Sequence, residues 1–171
     1  MRLHDRQTIR IFNWDYRSPG YYFVTICSNE RWQNPFGFIK NQYICLSEIG
    51  TITNQYWLNI SKHFSHVVLH DYVVMPDHLH GIIQITNSVG TCHGMSLQMG
   101  QNRYNKFGKP LSGSLGIIVN QFKSSVTRWC RKQNYGFTWQ PNYYERIIRT
   151  PKQLGSIRKY IVENPKNWTN H

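Results

Sequence analysis

The order of elements in this chain predicts an α+β sandwich, an antiparallel sheet with helices packed on it. Three observations carry that expectation. Apolar β-branched and aromatic runs of strand length occur near the start, middle and end of the chain. Two of them, Val67 to Met75 and Leu79 to Ile85, are separated only by Pro76-Asp77, a spacing too short for anything but antiparallel pairing. Segments with apolar residues at helical spacing follow or separate the strands.

The leader, residues 1–19, is polar and runs into the turn signal Ser18-Pro19-Gly20; it is expected to be an arm. Tyr21 to Cys27 reads as a buried strand. Gly37 to Lys40 and Tyr43 to Leu46 flank Asn41-Gln42 and predict a small hairpin. Ser47 is placed as an N-cap before a helix with apolar Ile49, Ile52, Tyr56, Ile60 and Phe64. Residues 87–113 are rich in Gly, Ser, Asn and Gln and are expected to form a mobile loop insertion. From Ser114 a second helix presents Leu115, Ile118, Val119, Phe122, Val126 and Trp129 on one face. Tyr143 to Ile148 is a strand. Thr150 caps a last helix that Pro151 opens and Pro165 stops, near Asn164. Gly155 inside that helix costs about 1 kcal/mol relative to alanine, which a hinge or close packing would explain.

The totals bound the class. A chain of 171 residues, 40% hydrophobic and 15% aromatic, suits one compact domain spanning 1–171. There are 20 Lys and Arg against 8 Asp and Glu, a net charge of +12, which points to a polyanionic partner. Nucleic acid is favoured over a membrane, because no apolar run approaches the roughly 20 residues a span needs. The start lacks an apolar signal core, so a cytoplasmic location is expected. Cys27, Cys45, Cys92 and Cys130 are scattered and read as reduced thiols. The few acids make a three-carboxylate nuclease a poor match.

Within the apolar run Val73 to Ile85 stand His78 and His80, two residues apart. On a strand they share a face while Leu79 points to the other. Two adjacent imidazoles on a central strand are costly to bury unless something binds them, and a divalent metal ion is the cheapest occupant. Near the C-terminus, Tyr160 and Asn164 lie four apart on one helical face, beside Ile157 and Ile161. A tyrosine and an amide facing a histidine pair form a compact site: the tyrosine as nucleophile, the amide oxygen as third metal ligand. A divalent ion on phosphodiester oxygens acts as a Lewis acid. A tyrosine, with a pKa of about 10, needs positive charge or a base beside it to attack. A phosphotyrosine link preserves bond energy, so rejoining needs no ATP; no phosphate-binding loop motif is present.

These residues resemble a known family. Val73-Val74-Met75-Pro76-Asp77-His78-Leu79-His80 is similar to the His-hydrophobic-His motif of HUH single-tyrosine transposases, insertion-sequence-200-like enzymes that act on single-stranded DNA. Trp139-Gln140-Pro141-Asn142-Tyr143-Tyr144-Glu145-Arg146-Ile147-Ile148-Arg149 resembles the W-Q-x-x-Y-Y-x-x-I-I-R segment of the REP-associated tyrosine transposase branch. Tyr160 to Pro165 resembles its Y-I-x-x-N-P segment. Phe23 to Cys27 and Phe122-Lys123-Ser124 also fit, and the similarity runs from about residue 20 to 168. The resemblance implies a ferredoxin-like fold, a Mg²⁺ or Mn²⁺ ion on His78, His80 and Asn164, and Tyr160 as the nucleophile. It implies a 5′-phosphotyrosine and a free 3′-hydroxyl, formed next to a hairpin. The wider family often has Gln where Asn164 stands, and the shorter amide calls for a small helix shift or a bridging water.

Lys123, Arg128, Arg131, Lys132, Arg146, Arg149, Arg158 and Lys159 are the expected phosphate footprint. Asp77 is a candidate to orient a histidine, or to cap its turn. Tyr143 and Tyr144 pack, or stack on a base. A homodimer is open, with the tyrosine acting in its own subunit or across to the other. Two further readings stand beside the transposase: a replication-initiator-type nickase with the same chemistry, and a catalytically silent nucleic-acid-binding domain.

Overall fold

The computed structural model describes residues 14–87 and 113–168. Most of the expected N-terminal arm and nearly all of the expected loop insertion lie outside the described residues. Among the described residues there are six strands: β1 (Gly20–Cys27), β2 (Gly37–Lys40), β3 (Tyr43–Leu46), β4 (Val67–Val74), β5 (His78–Ile85) and β6 (Tyr144–Ile148). The helices are α1 (Glu48–Leu58), α2 (Ile60–His63), α3 (Leu115–Lys132) and α4 (Pro151–Glu163), with single 3₁₀ turns at Arg31–Gln33 and Asn164–Asn167.

The main sheet has the order β4-β5-β1-β6, antiparallel throughout, and β2-β3 stands apart as a hairpin. Leaving out the hairpin, this is the β-α-β-β-α-β ferredoxin-like arrangement, with β1 and β5 central and β4 and β6 at the edges. The hairpin turns at Asn41-Gln42 as expected, both residues at positive φ (51° and 67°).

The sheet is covered on both faces by different elements. On one face Tyr22, Val24, Ile26, Leu79, Ile83 and Ile85 pack against α1 and α3, with Trp57, Ile118, Val119, Phe122 and Val126 at the centre. On the other face a smaller cluster of Phe23, Ile82 and Ile148 receives Ile157 and Ile161 of α4. The period-two alternation of β1 and β5 sorts their residues between these two cores.

Local chemistry sets the helix ends. Ser47 Oγ accepts the Gly50 amide at 3.0 Å, and Thr150 Oγ1 accepts the Gln153 amide at 3.2 Å, so both expected N-caps form. Pro165 ends α4 but the chain continues as a 3₁₀ turn. The first helix differs in two ways. It breaks at Asn59 into α1 and α2; Ile60 of α2 is buried as expected, but within α1 the buried stripe is Gly50, Thr53 and Trp57 rather than Ile49, Ile52 and Tyr56, one residue away. Small side chains let α1 approach closely: a Cβ at Gly50 would lie 2.0 Å from the Phe36 carbonyl oxygen. That closeness brings the Trp57 indole down onto the sheet, where a Cβ at Gly81 would lie 2.3 Å from it.

Gly155 has no atom within 4 Å of where a Cβ would stand, so close packing does not explain it. Gly81→Ala is expected to destabilise the protein by about 2 kcal/mol through overpacking against Trp57. Gly155→Ala is expected to stabilise it by about 0.5–1 kcal/mol. Urea denaturation midpoints of the two variants check both signs.

Candidate active site

The site is built on the α4 face of the two central strands. The β1–β5 register sets Thr25 opposite His80, Phe23 opposite Ile82 and Cys27 opposite His78. Both histidines are buried, and their Nε2 atoms stand 2.9 Å apart. Two imidazole nitrogens cannot present lone pairs to each other at that distance without a proton or a cation between them.

The outer nitrogens are held from behind. His78 Nδ1–H donates to Asp77 Oδ1 at 2.5 Å, and the second Asp77 oxygen accepts from the Arg31 guanidinium. Burial works to raise the Asp77 pKa, but hydrogen bonds from His78 and Arg31 and their charges outweigh it and hold the carboxyl below its ordinary range. Asp77 is thus an anion placed against His78. Its position comes from a buried turn: Met75 N–H donates to His78 O, while Ser28 N–H and Oγ–H both donate to Asp77 O and Phe36 N–H donates to Pro76 O. Every free carbonyl of Pro76-Asp77 is satisfied by a neighbouring segment, so the turn has little freedom.

Tyr160 closes the site from α4. Its hydroxyl lies 3.1 Å from His80 Nε2, within hydrogen-bond distance. His80 Nδ1 lies 2.8 Å from Thr25 Oγ1, a hydroxyl able to accept the ring proton there and leave Nε2 as the ligating nitrogen. Burial, with the neighbouring His78 charge, pushes the His80 pKa down to about 3, so this imidazole is neutral at physiological pH. Phe23 stacks on His80 at 5.3 Å and meets the Tyr160 ring edge-on at 6.2 Å. Trp168 lies beside His78, ring centroids 5.8 Å apart. Tyr160 itself is 48% exposed. All of these groups belong to one chain; no exchange of helices is needed to bring them together.

The helix that carries Tyr160 is tied to the sheet beyond its apolar contacts. A β-bulge in β4 sets His70 and Asp71 against the single residue Ile82 of β5. Arg158 reaches both. Its Nε forms an ion pair with Asp71 Oδ2 at 3.0 Å, without the alignment of a hydrogen bond, and its Nη2 donates to His70 Nδ1 at 3.3 Å. His70 Nε2–H in turn donates to Gln84 Oε1 at 2.9 Å. Asn164 follows one turn beyond Tyr160 in helical conformation (φ −55°, ψ −45°) and is half-buried.

The expected phosphate footprint divides. Lys123 does not face solvent freely: its ammonium donates to the carbonyls of Gln140 (2.8 Å) and Asn142 (3.0 Å) and ties α3 to the segment leading into β6. Arg128, Arg131 and Lys132 are exposed on α3, on the far side of the sheet from the histidines, where the last two also complement the helix C-terminus. Arg146 and Arg149 are exposed on and just after β6, Arg158 is engaged as described, and Lys159 lies 3.9 Å from Glu163. Arg31 was not among the expected residues. It reaches Asp77 across 46 positions, and no local pattern marks it.

Whether a divalent cation suits the pair can be judged from the donors. Two ligand atoms held at right angles about 2.1 Å from an octahedral ion lie about 3 Å apart, and the two Nε2 atoms are 2.9 Å apart. The partners on both Nδ1 atoms favour the tautomers that leave Nε2 free to ligate. Among the described residues no cluster of three His, Cys, Asp or Glu side chains occurs, so the rest of a coordination shell would come from an amide, water or substrate oxygens.

The His80 environment has a pH consequence. Its folded pKa of about 3 lies below the ordinary 6.5, so between those values the unfolded chain binds a proton that the folded, metal-free chain does not. The stability this group contributes is full above about 6.5 and is lost as pH falls toward 3. Thermal melting in chelator is expected to decline across that window more steeply for the wild-type protein than for His80→Gln. Equal slopes would contradict the burial of a neutral imidazole.

No family model matches the chain. It is 42% identical over 168 residues to an uncharacterized protein of Haemophilus influenzae (strain ATCC 51907 / DSM 11121 / KW20 / Rd), covering 97% of this chain and 91% of that one. Among solved structures it is similar to a REP-associated tyrosine transposase bound to a REP hairpin, with a TM-score of 0.61, 16% identity, and coverage of 95% of this chain and 76% of that chain. The second likeness concerns the fold. No described helix is long and apolar enough to cross a membrane. The chain therefore belongs to one family with the uncharacterized Haemophilus influenzae protein, and it has the fold of a REP-associated tyrosine transposase.

Proposed function

We propose that the protein is a metal-dependent DNA strand transferase that cleaves and rejoins single strands next to hairpins through a 5′-phosphotyrosine, as a transposase. The observation that carries this reading is the Tyr160 hydroxyl lying 3.1 Å from His80 Nε2, itself 2.9 Å from His78 Nε2. A phenol, two converging imidazole nitrogens and solvent access are what such chemistry requires. The charge of +12 supports a DNA partner, and the solved transposase of the same fold was bound to a REP hairpin.

The residues that would hold the ion are His78 and His80, with the Asn164 amide one turn beyond the nucleophile. When bound, Mg²⁺ or Mn²⁺ would supply Lewis-acid stabilisation of the phosphate oxygens. Asp77, held by Arg31, would orient His78, and Thr25 would orient His80. Phe23 and the Arg158 contacts would hold the Tyr160 ring in place. The phenolic oxygen forms a bond to phosphorus, the bond to the 3′-oxygen breaks, and the phenolic proton is balanced by the proton that the released 3′-oxygen gains. The reverse attack by a 3′-hydroxyl restores the tyrosine and seals a strand.

Incubation of the protein with labelled hairpin DNA carrying single-stranded flanks and Mn²⁺ or Mg²⁺ is expected to give a covalent protein–DNA adduct. Tyr160→Phe and EDTA should each abolish it. Hairpin binding without scission in any divalent metal would instead favour the silent binding domain. Asp77→Asn should keep the fold and the tyrosine but raise the metal concentration for half-maximal adduct about 10- to 100-fold. Titration of adduct yield against Mn²⁺ measures that shift.

A further inference from the structure

Among the described residues one edge of the site is open, and it carries two side chains with no partner there. β6 is the edge strand next to β1, and its register sets Tyr144 opposite Thr25 and Arg146 opposite Phe23. Directly opposed residues of an antiparallel pair share a face. Tyr144, Thr25 and His80 therefore form one row across the sheet, and Arg146, Phe23 and Ile82 the next. Both rows face the α4 side. Thr25 is bonded to His80, and the Phe23 ring contacts both His80 and Tyr160. Two strand spacings put Tyr144 about 10 Å from His80.

Tyr144 is 47% exposed, and its ring has no aromatic or hydrogen-bonding partner among the described residues. Arg146 is exposed and has no acidic partner among them. The opposite, β4 side of the site is different: there Arg158 is engaged by Asp71 and His70. An aromatic face and a guanidinium two residues apart on an edge strand match the alternating base and phosphate of a single strand, which stacks on aromatics and is drawn by positive charge. A duplex hides its bases and offers nothing to the ring.

We propose that Tyr144 and Arg146 form a single-strand DNA platform along β6 that positions the unpaired nucleotides flanking the phosphate presented to Tyr160, with one base stacked on Tyr144 and the adjoining phosphate held by Arg146. The proposal rests on the strand-transfer reading above, whose site it borders. Tyr144 is a positioning residue and Arg146 an electrostatic one.

The test uses the full chain carrying Tyr160→Phe, without divalent metal, so that binding is read apart from cleavage. The probe is a DNA hairpin with an oligothymidylate flank bearing one 5-iodo-deoxyuridine at each position in turn. Irradiation is expected to cross-link one flank position to Tyr144, identified by peptide mass spectrometry. Tyr144→Ala should weaken binding of the intact flank about ten-fold by fluorescence anisotropy, and Tyr144→Trp should restore it. Removing the base at the cross-linked position should weaken wild-type binding to a similar degree and leave Tyr144→Ala almost unchanged. Arg146→Gln should weaken all flanks alike and flatten the salt dependence. Additive losses from Tyr144→Ala and the abasic site, or a cross-link confined to other residues, would overturn the platform. Failure of the wild-type protein to form an adduct with the same DNA in Mn²⁺ or Mg²⁺, with retention of this base-specific coupling, would overturn the enzymatic reading and leave the platform standing.

Discussion

The pairing register between β1 and β5 is the constraint on which the site depends. A strand has a side-chain period of two, so a slip of one residue would exchange its faces. In the observed register Leu79 and Ile83 enter the core under α1 and α3, while His78 and His80 emerge beneath α4. The larger core enforces that choice. Trp57 rests on Gly81, the one position of β5 without a side chain, and a shifted strand would put an imidazole or isoleucine beneath the indole. The packing that specifies the fold thus also specifies which side the histidines occupy.

Burying two imidazoles would be unfavourable without partners, and the structure supplies them asymmetrically. His78 is backed by an ionised carboxylate that a guanidinium neutralises in turn, whereas His80 is backed by a neutral hydroxyl and stays uncharged. The result is one ring coupled to charge and one neutral ring whose Nε2 faces the Tyr160 hydroxyl. The buried Pro76-Asp77 turn makes the first arrangement durable, because its carbonyls are anchored by Ser28 and Phe36. The tyrosine is secured by two means of different character. Ile157 and Ile161 supply non-directional burial, and the contacts of Arg158 with the β4 bulge supply orientation.

Much of this was legible along the chain. The antiparallel partners, the Asn41-Gln42 hairpin and the Ser47 and Thr150 caps all rest on short-range stereochemistry, which a local pattern records. The α3 stripe was legible for the same reason, with Leu115, Ile118, Val119, Phe122 and Val126 all buried. The stripe of the first helix was legible only in part: Ile60 is buried, whereas Ile49 and Tyr56 only border the core. Gly50 and Thr53 are buried because they are small enough for a neighbour to approach, and a search for apolar periodicity passes over them. Arg31 was invisible since nothing nearby in sequence reports on a carboxylate 46 residues away. Lys123 read as surface charge because its two carbonyl partners lie on a segment 17 and 19 residues downstream.

By itself the sequence determined the fold class, the shared face of His78 and His80, and the shared face of Tyr160 and Asn164, since each follows from the period of a single element. Only the tertiary structure decided that these faces meet within one chain, which histidine nitrogen lies against the tyrosine, and which cations stay free. Those outcomes depend on strand register, the seating of α4 and the approach of distant side chains. They are set by packing between elements, and no periodicity within an element encodes them.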